Sequence, residues 1–280
     1  MKSDIYQIHL KKMYDLHGSG EGAVLSYIKR NMLSFEGVKE NKSSFVNLFA
    51  ELGFDRVLKE MGDRGFDFHF IEKEEVNSSQ TVLDDYLKQA RWYDPDCLKV
   101  IIDAGQYSQD EVAQSFITVC DLHKESLQNK TKEIECLNLD IVLDAALNEG
   151  VDLSSLVGGR VPFYALCDVY DFIKSKKINV PDSYQKMITS CIQKGLDLGV
   201  DLNVVDNNNR TGFSFSSMDL KAKFVRYQSI KDDERLLDLF MIVDQLVNGQ
   251  VEKSASQKIA KHIKQLQKDI FNARKRMRFE

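Results

Sequence analysis

Apolar residues recur every three or four positions along most of the chain, the spacing that marks one face of an α-helix; strands would alternate. Val112, Phe116, Val119 and Cys120 form one such stripe, and Leu236, Leu239, Phe240, Val243, Leu246 and Val247 another. Alternating β-branched runs are rare and only three prolines occur in 280 residues, so the pattern predicts an all-α class. Asp4 to Leu16 and Glu21 to Leu33 read as two helices joined by Gly18-Ser19-Gly20, and residues 231–247 and 253–276 as a second pair near the other end. In the last of these, Ile259, Ile263, Leu266, Ile270, Ala273 and Met277 are spaced 4, 3, 4, 3 and 4. That is a narrow heptad seam, which wants a partner surface.

Between the predicted helices a short element returns: Gly65-Phe66-Asp67-Phe68, Gly150-Val151-Asp152-Leu153 and Gly199-Val200-Asp201-Leu202. Asp103-Ala104-Gly105 is a fourth, weaker instance without the following Asp. Each glycine suits a helix C-terminus that needs a positive φ. The closing glycines at 65, 105, 150 and 199 lie 40, 45 and 49 residues apart. A helix that cannot bury its apolar face alone does so by stacking on a copy of itself, and a recurring helix-end signal is the mark of such an array.

These residues resemble the ankyrin repeat, whose pattern runs from a Thr-Pro-Leu-His turn through two helices to Gly-Ala-Asp and a projecting finger. Residues 44–68 follow it without gaps: Ser44 at the Thr position, Ala50-Glu51-Leu52-Gly53 ending the first helix, Val57-Leu58 inside the second, and Arg64-Gly65-Phe66-Asp67 closing the unit. Thr81-Val82-Leu83-Asp84, Arg160-Val161-Pro162-Phe163-Tyr164-Ala165 and Arg210-Thr211-Gly212-Phe213-Ser214 are similar to the turn motif. Asp94 and Pro95 fit an N-cap and first helical position. The intervals exceed the roughly 33 residues of a regular unit, which places extra length in Gln109 to Ser126 and in the Gln128 to Glu133 connection. The resemblance implies an ankyrin-like helical-hairpin solenoid over residues 44–215, with a helical N-terminal cap over 1–43 and a C-terminal cap over 216–280. A helical-hairpin solenoid of another type is the rival arrangement.

Composition narrows the function classes. Hydrophobic residues make up 43% and the net charge is −5, so no overall basic field points to nucleic acid. No run of about 18 apolar residues occurs, and Met1 to Asp15 mixes charges into what a secretory leader keeps apolar. Cys97, Cys120, Cys136, Cys167 and Cys191 are odd in number and widely spaced, which reads as reduced, structural thiols in a cytoplasmic setting. Charge is uneven, however: residues 252–280 hold nine Lys or Arg against three acids, or +6, leaving −11 for the rest. The tail, with Arg274, Lys275, Arg276 and Arg278, is either a cap helix with a solvated basic face or a docking helix for an acidic surface, whether an acidic protein, anionic lipid or phosphate backbone.

Candidate chemistry is sparse. Gly18-Ser19-Gly20-Glu21-Gly22-Ala23 has the outline of a dinucleotide turn, but the segment before it is helical in pattern where a buried strand is required, so no cofactor is expected. Cys120 with His123, and Cys97 near a helix start, are conceivable nucleophile positions that read more simply as core. No histidines stand at metal-ligand spacing, and no metal is expected. The reading is a non-catalytic module that binds another protein through its fingers: His69 and Phe70 on the first, Trp92 and Tyr93 in an inserted loop, and Asp206, Asn208 and Arg210 on the last. The lengthened, irregular repeats are similar to those of ankyrin-type effectors of intracellular bacteria, which implies delivery to a host cytoplasm. The alternative is an enzyme whose site is assembled on a helical repeat frame.

Overall fold

A computed structural model describes residues 2–36, 42–69, 81–89, 93–129, 139–247 and 253–279. The described elements are α1 (Lys2–Leu16), a 3-10 turn (His17–Ser19), α2 (Glu21–Arg30), α3 (Lys42–Glu51), α4 (Asp55–Asp63), α5 (Val82–Gln89), α6 (Pro95–Gly105), α7 (Gln109–Asn129), α8 (Leu139–Asn148), α9 (Pro162–Lys176), α10 (Asp182–Asp197), α11 (Met218–Val247) and α12 (Lys253–Phe279). No strand occurs among the described residues, and Val157 and Arg160 form an isolated bridge. The all-α class stands. Two compact units emerge: Met1–Leu153 with Val180–Cys191, and Ser154–Asn179 with Ile192–Glu280.

In the first unit the helices pair as hairpins, α3 with α4, α5 with α6 and α7 with α8. Successive hairpins stack, so that α3, α5 and α7 form one row and α4, α6 and α8 another, with α2 against α4. The sequence of α4 shows why: Val57, Leu58 and Met61 are buried, while Arg56, Lys59 and Asp63 on the other side are exposed. Glu21 of α2 fastens that contact by accepting from the Arg56 backbone N–H at 2.9 Å and from its Nε at 2.7 Å. Asp94 caps α6, accepting from Cys97 N at 2.8 Å, with Pro95 at the first position. Ser108 and Glu111 cap α7 reciprocally, Ser108 N–H donating to Glu111 Oε2 at 2.8 Å and Glu111 N–H to Ser108 Oγ at 3.3 Å.

Helix ends share one device. After α2, α3, α4, α8, α9 and α10 a residue in the left-handed region is followed by an apolar residue whose N–H returns five positions: Leu33 to Ile28, Phe54 to Phe49, Phe66 to Met61, Val151 to Ala146, Ile178 to Ile173 and Val200 to Gly195. Gly65, Gly150 and Gly199 hold the turn residue with φ of 87°, 78° and 90°, as expected. Gly105 does not: it stays helical, and Gln106 takes the left-handed place at φ 51°. Glycine is required at 105 for space, because a Cβ there would come within 2.3 Å of the Tyr107 ring.

The second unit is built on α9, nearly every side chain of which is buried from Pro162 to Cys167. Phe163 meets Phe224 of α11 at 5.9 Å, and Phe215 joins Tyr164 and Phe224 at 6.0 and 6.2 Å. The helix expected over 231–247 starts 13 residues earlier, at Met218, because Leu220, Phe224, Tyr227 and Ile230 continue its buried stripe. α12 lies along α11. The seam expected to want a partner turns inward there: Ile270 is buried and Ile263, Leu266 and Ala273 half-buried.

Candidate interaction surface

Beyond two of the closing glycines the chain turns by a second shared step. The aspartate two residues on bends its side chain back, Asp67 Oδ1 accepting from His69 N–H and Asp201 Oδ1 from Asn203 N–H, each at 2.9 Å. This is an Asx turn. At the fourth position the carbonyl meets a tyrosine hydroxyl: Tyr107 donates to Phe68 O, and the Tyr164 hydroxyl lies 3.0 Å from Leu202 O. Equivalent carbonyls of two fingers are therefore met by tyrosines from different places in the chain, one following its finger and one preceding it.

The first finger ends at His69, half-buried. Its Nδ1 is 2.8 Å from Gly105 O, its Nε2 3.0 Å from Glu111 Oε1, and its ring is stacked on Tyr107 at 4.8 Å. Burial pushes the Glu111 carboxyl up, but the N–H and hydroxyl of Ser108 and the His69 ring outweigh that and hold it below the usual carboxylate range. His69 is thus engaged by the cap of α7. Phe70 and Trp92 lie outside the described residues. Tyr93, read as an exposed contact, is instead buried, its hydroxyl donating to Leu87 O at 2.8 Å and its ring 6.0 Å from Tyr86. The ring is taken in against α5.

The last finger, residues 201–212, brings Asp206, Asn208 and Arg210 together. Asp206 is buried and accepts from Asn208 N–H, Arg210 N–H and Arg210 Nε, each at 2.9 Å. Burial raises its carboxyl, yet the donors and charge of Arg210, with Asn208 N–H, hold it below the ordinary value. Arg210 reaches on to both oxygens of Asp168 on α9, at 2.8 and 3.1 Å. Both residues, expected to face a partner, are fixing the loop instead. The side chains left outward are Val205, 53% exposed, and Asn208 and Asn209 at the tip. Asn207 N–H donates to Gly159 O at 2.9 Å, and its side chain covers Gly159 so closely that a Cβ there would lie 1.9 Å from its Nδ2. At the other end of the loop Asp171 accepts from Ser216 Oγ and Ser217 N–H.

Among the thiols, Cys97, Cys120, Cys167 and Cys191 are buried, and Cys136 lies outside the described residues. Burial, and then the Asp94 carboxylate, pushes the Cys97 thiol well above its ordinary range, the opposite of nucleophile activation. His123 is fully buried, with Nδ1 2.6 Å from the Tyr184 hydroxyl, and burial pushes its ring down to about 4. Among the described residues no three His, Cys, Asp or Glu side chains converge as a metal requires, and no helix is long and apolar enough to cross a membrane.

A cavity of about 310 Å³ opens where the end of α10 meets α11 and α12. Its charged lining is largely committed: Lys231 donates to Gly199 O at 3.2 Å and lies over the Tyr227 ring, while Glu234 pairs with Arg274. Of the basic tail, Arg274 and Lys275 are exposed; Arg276 and Arg278 are in α12 with side chains outside the described set. Sequence reasoning missed Asp168 and Asp171, whose partners are more than 40 residues away in the chain, and the pairing of His123 with Tyr184. Compared with family models, curated proteins and solved structures, the chain matches none of them.

Proposed function

We propose that the chain is a non-catalytic protein-interaction module of ankyrin-like hairpins, which presents the tip of its last finger to a protein partner. One observation carries the reading. Val205, Asn208 and Asn209 point outward from a loop whose base is clamped by Arg210 between Asp206 and Asp168. A polar tip with one apolar side chain, held still before binding, avoids the ordering cost that a loose loop carries. The stacking of α3 to α8 and the finger turns that recur after Gly65 and Gly199 support the ankyrin-like part of the proposal. Action as a bacterial effector on a host protein belongs to the same proposal and rests on the lengthened repeats. Burial and an upward-shifted thiol at Cys97 favour it over an enzyme using that residue.

The test is a photo-reactive amino acid at position 208, with position 99 on exposed Lys99 as control, followed by titration of the purified cross-linked protein. We expect a partner captured from 208 and not from 99, its affinity falling at least ten-fold in Val205→Asp. Equal capture at both positions, or an unchanged affinity, would reject the finger as the binding surface.

A further inference from the structure

The face of α12 opposite its apolar seam carries Lys261, Lys264, Lys268, Phe271 and Lys275, at intervals of 3, 4, 3 and 4. All five are exposed, Phe271 at 68%. Helix geometry sets them in one line about 21 Å long. None of the four lysines makes an ion pair among the described residues. Asp269, the one acid between 253 and 279, lies off the line and accepts from Gln265 Nε2 at 3.0 Å. Like charges at these spacings repel one another along the helix, and an anionic surface relieves that repulsion.

We propose that this stripe is a docking face for an anionic lipid bilayer. Three features select that partner. The cations are lysines, mobile point charges suited to a diffuse layer of headgroups, whereas phosphate and base recognition favours the arginine fork. Lysine is depleted at protein interfaces, which lean on Trp, Tyr and Arg. A ring standing among lysines on a straight, one-sided line is what a flat interface accepts, the cations meeting anionic headgroups while Phe271 enters the headgroup boundary. The seam stays on α11, so docking requires no unpacking. Because screening confines attraction to about 8 Å at physiological salt, the acidic remainder of the chain does not cancel it. Each lysine near such a surface multiplies partitioning roughly five-fold. This inference uses α12 alone and stands or falls separately from the finger.

The experiment is flotation of the full chain with vesicles of phosphatidylcholine, with and without added phosphatidylserine, from low to physiological salt. We expect binding only to the phosphatidylserine vesicles, weakening with salt. Lys264→Gln with Lys268→Gln should lower it about 25-fold, and Phe271→Ser should lower it while leaving the salt dependence in place. Circular dichroism checks that these exposed substitutions keep the helix. Equal binding to both vesicle types, no binding to either, or an unaltered double variant would overturn the proposal, as would tighter binding to duplex nucleic acid.

Discussion

The turn after Gly65 and the turn after Gly199 share a glycine, an Asx turn and a tyrosine hydroxyl on the fourth carbonyl, but differ in what anchors them. The first is fixed mainly by rings, Phe66 and Phe68 being buried 4.7 Å apart with Phe35 against Phe66 at 6.2 Å, and only its end is held by a polar contact, His69 on Glu111. The second is fixed by charge, through Arg210 on Asp206 and Asp168 and through Asp171 on Ser216 and Ser217. Apolar burial is insensitive to salt and tolerant of small shifts, whereas a bidentate guanidinium contact fixes direction and fails once either partner is removed. A finger that must hold its tip in one orientation gains from the second solution.

That contrast can be broken, first in the hairpins. Phe116 is fully buried on α7, so Phe116→Ala should cost about 4 kcal/mol in denaturant unfolding; a loss near 1 would mean that the hairpin core is not where this region's stability resides. The next effect is acid. His123 is neutral when folded and titrates near 4, whereas the unfolded ring titrates near its ordinary value, so the unfolded state binds the extra proton. The contribution of His123 to stability is therefore full above about pH 6.5 and falls by roughly 3 kcal/mol as pH drops towards 4. His123→Phe should flatten that part of the pH profile, and an unchanged slope would assign it elsewhere. The smallest effect is Arg210→Ala, which strands the buried Asp206 carboxylate and should cost about 2 kcal/mol, with faster amide exchange over residues 201–212. If Arg210→Lys restores that protection fully, the fork geometry is not what anchors the finger.

Much of this frame was legible in the sequence because it is local. Gly65, Gly150 and Gly199 announced their turns, Asp94-Pro95 announced the start of α6, and the period of the apolar residues located the helices. The exceptions also have local causes. Met32 and Lys177 occupy left-handed turn positions without glycine to signal them, and Gly105 serves the Tyr107 ring instead of a turn. What the sequence hid was direction. Tyr93 and Asp206 are residue types common on surfaces, and only contacts closed by folding show that one faces α5 and the other a guanidinium. Asp168 lies 42 residues from Arg210, and Asp171 lies 45 from Ser216, beyond any spacing rule.

The two rows of stacked helices also bear on how the chain reaches its fold. The principal contacts of α3 to α8 join helices one or two apart in order, so each new hairpin closes only a short loop, and closure entropy grows slowly with loop length. Such low contact order favours rapid assembly, nucleated at any hairpin and spreading to its neighbours. A repeat can lengthen between its helices under this scheme with little loss of folding speed, which is how intervals of 40 and 45 residues remain compatible with the stack of α3 to α8.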